Sequence, residues 1–291
     1  MAQKIGEFIK NLLVPGGLSR YETIGKLDEG RMSVIYRARD KRSMRPCLLK
    51  IYKEDCIRIR TAIRRKQPDI DEVLLALDHP NVMRVFEFGS SRGSDYCAIE
   101  AVEGRALGAI SREGTLTTRD AVEVFRKTAE GLTYMHEEHR VFHRDINPFN
   151  IVVTDAMEAK IIDLDFCVLE APDTTGMYRR SGTVAYLSPE QVRGRHLDHR
   201  VDVYSLGVTM YEVLTNTNPY WEKEEDNEEL RLERTTYNHL AIIPHPPSTL
   251  RAGIPGELDE LILSCLKISA EDRIQTASEV AERLREISAA M

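Results

Sequence analysis

The rhythm of hydrophobic and polar positions changes about a third of the way along the chain. From Tyr21 to about Cys56 the apolar residues alternate or run in short blocks, with Val34-Ile35-Tyr36 and Leu48-Leu49-Lys50-Ile51-Tyr52 as the clearest strands. A basic stretch, RIRTAIRRKQ, follows and is expected to be an exposed helix or loop. Pro68 suits the first turn of a helix, whose apolar positions Val73, Leu74 and Leu77 lead to an HPN turn at 79–81. MRVFEF and DYCAIEAV read as two further strands. After Glu103-Gly104 the period lengthens to that of helices. Val122, Phe125, Ala129, Leu132 and Met135 mark one face of a long amphipathic helix, and similar patterns cover 199–215, 257–266 and 276–288. The prediction is an α+β chain, a small mostly β part with one main helix followed by a larger mostly α part.

Length supports two lobes, because 291 residues exceed the usual single core. At 42% hydrophobic and 30% charged residues the chain reads as globular, and a formal charge of −7 argues against general nucleic-acid affinity. Cys47, Cys56, Cys97, Cys167 and Cys265 are scattered, with no metal-ligand spacing, which suits a reducing cytoplasm. No transmembrane stretch or signal peptide is evident, and the expected location is cytoplasmic. The N-terminal KIGEFIKNLL sets Ile5, Phe8, Ile9, Leu12 and Leu13 at helical spacing before Pro15-Gly16-Gly17. This amphipathic extension, residues 1–20, is expected to pack on the domain or a partner. The acidic run EKEEDNEE at 222–229 reads as a solvated helix face.

Chemistry concentrates in two places. In HRDINPFN, 143–150, Asp145 can accept or orient a hydroxyl proton, and the Asn150 carbonyl can ligate a hard cation. The apolar run MEAKIIDLDFCVLE, 157–170, then carries Asp163, thirteen residues beyond Asn150, and Asp165 at strand spacing. The two carboxylates face the same way if the extension continues.

These motifs, in this order, resemble those of the Hanks-type serine/threonine protein kinases. HRDINPFN resembles the catalytic loop, SGTVAYLSPEQ the substrate-docking segment, DVYSLG the anchoring helix and IEAVEG the hinge. The resemblance implies a bilobal kinase domain over 21–288, with an N-lobe at 21–102 and a C-lobe at 103–291. It further implies ATP with Mg²⁺, or Mn²⁺, as cofactors and a protein substrate. Lys50 is then expected to hold the α/β-phosphates, Asp145 to orient the substrate hydroxyl, and Asn150 and Asp163 to hold the metal. Leu27, Gly30, Ile35, Leu48, Glu100 and Val102 fall where the family contacts the nucleotide, with Ile99 as gatekeeper. His143, Arg144, Thr183, Glu190, Asp202 and Arg273 occupy structural or regulatory positions, Arg273 as the partner of Glu190 and Thr183 as a contact of Asp145. Thr174, Thr175 and Ser181 are candidate phosphorylation sites.

Several positions depart from the family pattern. Asp28 and Ser33 replace two loop glycines, leaving Gly30 alone, and Leu48 adds bulk to the adenine slot. Ile70 stands where a helix glutamate should pair with Lys50, and a shift of that helix could present Asp69, Asp71 or Glu72 instead. Asn147 replaces a catalytic-loop lysine, and Asp165 a hinge glycine. Two readings follow: an active serine/threonine kinase with a modified nucleotide clamp, or a pseudokinase that serves as a binding or regulatory scaffold. A small-molecule or lipid kinase of related fold fits less well, because the docking segment and DVYSLG build a platform for protein substrates.

Overall fold

Five strands account for the alternation in the first third of the chain. In the computed structural model, which describes residues 17–91, 93–170, 182–221, 225 and 227–291, they form one antiparallel sheet in the order β1-β2-β3-β5-β4. The strands are β1 (Tyr21–Glu29), β2 (Ser33–Asp40), β3 (Pro46–Tyr52), β4 (Val85–Ser91) and β5 (Ser94–Glu100). Alternate residues of β2, β3 and β5 (Tyr36, Ala38, Cys47, Leu49, Tyr96 and Ala98) make a buried apolar face. The amphipathic extension expected over 1–20 lies outside the described residues until Gly17. From there a 3₁₀ turn, Gly17–Arg20, leads into β1, and Arg20 pairs with Asp40 and Glu87 at 2.6 Å each.

The basic stretch is a helix, α1 (Glu54–Lys66), but it is not simply exposed. Cys56, Arg60 and Ile63, at helical spacing, are buried. The Arg60 guanidinium lies 4.7 Å from the Tyr52 ring centre and 4.6 Å from that of Phe88, and reaches Asp71 at 3.1 Å. A charged side chain can enter an apolar layer when ring faces and a carboxylate replace its water. Pro68 precedes the next helix, α2 (Ile70–Ala76), rather than occupying its first turn. Ile70 is buried in the core.

The chain divides into two compact units, one running through Asp78 and again from Met83 to Val102, the other comprising His79–Val82 and Glu103–Met291. The HPN turn therefore packs with the second unit: Asn81 Nδ2 donates to the Ala159 carbonyl at 2.7 Å, and the Ile161 N–H donates to the Asn81 carbonyl at 2.8 Å.

The larger unit is mostly helical. After β6 (Arg105–Ala106) come α3 (Leu107–Arg112) and α4 (Thr118–Thr133), the long amphipathic helix read from the sequence, capped by the Thr117 side chain. Short strands β7 (Val141–Phe142), β8 (Ile151–Val153), β9 (Ala159–Ile161) and β10 (Val168–Leu169) bracket the HRDINPFN loop, with β7 paired to β10 and β8 set between β6 and β9. Then follow α5 (Pro189–Arg193), α6 (Arg200–Thr215), α7 (Glu228–Ala241), α8 (Gly256–Cys265) and α9 (Ala277–Ala290). Helix α6 is buried nearly all round, so it forms the axis of the core rather than an amphipathic surface. Of the acidic run, Glu228 and Glu229 open α7, where the helix dipole favours them.

One ion pair locks the start of α5 to the segment before α9. Arg273, fully buried, places Nη1 2.8 Å and Nη2 3.1 Å from the two Glu190 oxygens, donates to the Arg200 carbonyl at 2.7 Å, and lies 5.0 Å from the Tyr204 ring centre. Replacing Arg273 with methionine strands Glu190 without its counter-charge. The expected loss is about 3 kcal/mol of stability. Urea unfolding followed by the fluorescence of the single tryptophan, Trp221 in the large unit, measures it; an unchanged midpoint refutes the estimate.

Candidate active site

The HRDINPFN loop hangs from one buried carboxylate. Asp202, in the first turn of α6 and fully buried, accepts from the His143 and Arg144 N–H groups at 2.7 Å each and from His136 Nε2 at 2.8 Å. Burial alone would raise its pKa. The His136 hydrogen bond and the neighbouring positive groups outweigh it and hold Asp202 below the usual carboxylate range. Two adjacent amides clasped by one carboxylate leave the loop little freedom, and Arg144 sits in the left-handed region with φ 69°. His143 adds a second tie: its Nε2 donates to the Ile162 carbonyl at 3.0 Å, and its Nδ1 accepts from the Asp145 N–H at 3.3 Å.

Asp145 emerges from this frame with both carboxylate oxygens oriented. Oδ1 accepts from the Thr183 N–H at 2.7 Å, and Oδ2 from Asn150 Nδ2 at 2.9 Å. Burial, partly opposed by the Thr183 hydrogen bond, pushes its carboxyl above the ordinary range. Asn150 Nδ2 also donates to the Asp145 carbonyl at 2.8 Å, which leaves the Asn150 Oδ1 as the oxygen available to a cation. Asn147 is buried and used internally. Its Nδ2 donates to the Asp145 carbonyl at 3.0 Å, and its Oδ1 accepts from the Phe149 N–H at 2.9 Å. It stiffens the loop and brings no charge to it.

The segment facing Asp145 approaches closely because Gly182 permits it. Gly182 has φ 112°, and a Cβ there would lie 2.9 Å from the Arg144 carbonyl oxygen. The next carbonyls are each held by a different element. His239 Nε2 on α7 donates to Val184 at 3.0 Å, Asn218 Nδ2 to Ala185 at 3.2 Å, and Ser205 Oγ on α6 to Tyr186 at 2.8 Å. Spacing gave no warning of His239 or Asn218, because their partners lie 55 and 33 residues away. Ser188 and Gln191 then form a capping box at α5, and Gln191 Nε2 reaches the Arg144 carbonyl at 3.3 Å.

A carboxylate so placed, a neighbouring amide oxygen and a rigid facing segment are suited to orienting a hydroxyl nucleophile. The protein kinase domain family matches residues 21–284. The chain belongs to the protein kinase family. It is 32% identical over 278 residues to serine/threonine-protein kinase PknB of Mycobacterium tuberculosis, which covers 92% of this chain and 43% of that protein. PknB of Mycobacterium leprae is 31% identical over 268 residues (90% and 42%), and a probable serine/threonine-protein kinase of Clostridium perfringens 30% over 273 residues (92% and 38%). The chain spans less than half the length of these relatives, which place it with the Hanks-type serine/threonine kinases.

In this chain the DLD stretch does not continue as a strand. β9 ends at Ile161, Asp163 takes φ 66° and ψ 74°, and Leu164–Phe166 form a 3₁₀ turn. The period-two argument for same-facing carboxylates therefore fails: Asp165 is buried and Asp163 half-buried. Thr174, Thr175 and Ser181 lie outside the described residues.

The small unit places Lys50 on β3, buried and opposite Ile35 in the ladder, while Leu48 faces Ile99 on β5. The Glu100 N–H donates to the Arg84 carbonyl at 2.9 Å and is already engaged, and Val102 follows in irregular chain. Gly30 stands in an exposed turn, its N–H donating to the Ser33 carbonyl at 3.0 Å, with Leu27 exposed beside it. Glu29 in that turn is paired with both Lys26 and Lys53, which hold its carboxyl down to about 2. Of the three acids considered near Lys50, Asp71 is held by Arg60 and, at 2.7 Å, by Arg64 of α1.

His239 reports on the facing segment through pH. Burial, opposed in part by its bond to the Val184 carbonyl, pushes its pKa down to about 4. The unfolded chain then binds the extra proton first, so stability is full above about pH 6.5 and falls as pH drops towards 4. The expected loss across that window is about 3 kcal/mol. Urea titrations at several pH values check this against His239→Gln, in which the slope should flatten; parallel slopes refute it.

Proposed function

We propose that this chain transfers the γ-phosphoryl group of ATP, with Mg²⁺ or Mn²⁺, to serine or threonine hydroxyls of a protein. The observation that carries the reading is Asp145, buried, with one oxygen fixed by the Thr183 N–H and the other by Asn150. A carboxylate oriented in this way can align an incoming hydroxyl and receive its proton as the new P–O bond forms. The residues fit a hard cation. Asn150 has its amide nitrogen occupied and its oxygen available, and Asp163 adds a carboxylate. No group of three or more acidic, histidine or cysteine side chains among the described residues makes a closed metal site, which suits Mg²⁺ shared with phosphate oxygens. When bound, the metal neutralises phosphate charge. Lys50 supplies a further positive charge to the phosphates, and with Asn147 neutral the demand on it is greater. Five buried, dispersed cysteines fit a reducing, cytoplasmic setting, and no helix among the described residues is long and apolar enough to cross a membrane.

The second reading, a scaffold that binds nucleotide weakly, draws support from the small unit, where Arg60 and Arg64 hold Asp71, one of the two acids adjacent to the expected glutamate position. Two measurements separate the readings. With labelled ATP and Mg²⁺, the wild-type chain should phosphorylate itself or a generic serine/threonine protein. Asp145→Asn should lower the rate by about a hundredfold or more. Equal incorporation by the variant refutes catalysis through Asp145. ATP with Mg²⁺ should also raise the melting temperature, since a ligand that binds only the folded state stabilises it, and Asn150→Ala should reduce that shift. No shift at millimolar nucleotide favours the scaffold.

A further inference from the structure

Beside the catalytic loop the large unit opens a groove of about 550 Å³. Phe149 and Trp221 contribute to its walls, with Tyr186, Val213, Arg112 and Glu212 around them. Its position is set by Thr183, which lines the groove and also donates its N–H to Asp145 at 2.7 Å. A peptide whose hydroxyl reaches Asp145 therefore carries its neighbouring side chains over this groove, because an extended chain advances only about 3.3 Å per residue.

The lining states what such a side chain should be. Glu212 is already engaged, its Oε2 accepting from the Tyr186 hydroxyl at 2.7 Å and from Asn218 Nδ2 at 2.9 Å. The Arg112 guanidinium lies 4.8 Å from the Phe149 ring centre, so the groove holds one fixed charge of each sign. The two charges offset each other, so the lining carries no net charge that would favour an entering cation or an entering anion. The apolar surface is less fully engaged: the Arg112 guanidinium lies over part of the Phe149 ring and Trp221 packs partly on the core, and the rest of the aromatic area faces the groove. Phe149 is 41% exposed although it belongs to the catalytic loop. Its ring cannot retreat: it rests on α3, where a Cβ on Gly108 would lie 2.9 Å from the ring. The Gly108 N–H, donating to the Pro148 carbonyl at 2.8 Å, fixes that contact. A rigid, half-exposed aromatic wall favours a large apolar group that displaces water from it.

We propose that this groove selects a large aliphatic or aromatic side chain of the protein substrate, within about three positions of the phosphorylated residue, and that Phe149 and Trp221 set the preference. The proposal rests on the kinase reading above and adds its substrate class. Serine and threonine peptides varied at every flanking position, assayed with the full chain, ATP and Mg²⁺, test it. One flanking position should prefer leucine, methionine or phenylalanine over alanine by on the order of tenfold in kcat/KM. Phe149→Ala should flatten that preference, and Phe149→Glu should turn it towards arginine. Selection of arginine or lysine by the wild type, or no selection at all, overturns the proposal.

Trp221 is the chain's single tryptophan, so its fluorescence reports peptide binding without catalysis. A saturable change at lower concentration of the leucine peptide than of its alanine counterpart supports the groove even where no phosphate is transferred, and the kinase reading alone then fails. Equal responses to both peptides, with transfer intact, overturn the groove proposal alone.

Discussion

The large unit depends on a carboxylate that water does not reach. Asp202 sits at the start of the most buried helix, and its charge is matched by two backbone amides and a histidine rather than by solvent. Burying a charge in this way is costly unless hydrogen bonds replace its water, and here three short ones reach both oxygens. The consequence is geometric. His143 and Arg144 cannot move without stranding that charge, so the position of Asp145 is inherited from the core rather than set by its own loop.

The same economy of polar groups governs the facing segment. Three successive carbonyls, of Val184, Ala185 and Tyr186, accept from His239, Asn218 and Ser205, which reach them from separate parts of the unit. Buried carbonyls outside regular structure need such partners, and meeting them from several directions fixes the segment in all of them. Gly182 then brings the segment against the catalytic loop, and the Thr183 amide completes the environment of Asp145. Asp145 and the aromatic groove beside it both take their positions from this rigid arrangement.

Much of the fold was legible because its signals are local. The alternation at Val34–Tyr36 and Leu48–Tyr52, and the face of Val122 to Met135, each follow from periodicities that the backbone imposes on any buried surface. The basic stretch at 58–67 was less transparent. Arg60 counts as polar in any pattern, yet it is buried by two rings and a carboxylate distant in sequence. The DLD stretch misled for a related reason. Alternation assumes an extended chain, and the left-handed turn at Asp163 breaks it where no glycine or proline gives notice.

The sequence by itself determined the family, the order of elements and the residue types from which phosphoryl chemistry can be built, because motif spacing and periodicity are properties of the chain alone. Tertiary structure decided the rest. It turned Asn147 inward as a loop tie and gave Asp71 to the arginines of α1. It also left Phe149 half-exposed beside Trp221. Each of these outcomes depends on which distant groups come within a few ångströms, and hydrogen bonds, ion pairs and ring contacts are too short-ranged for chain order to reveal them.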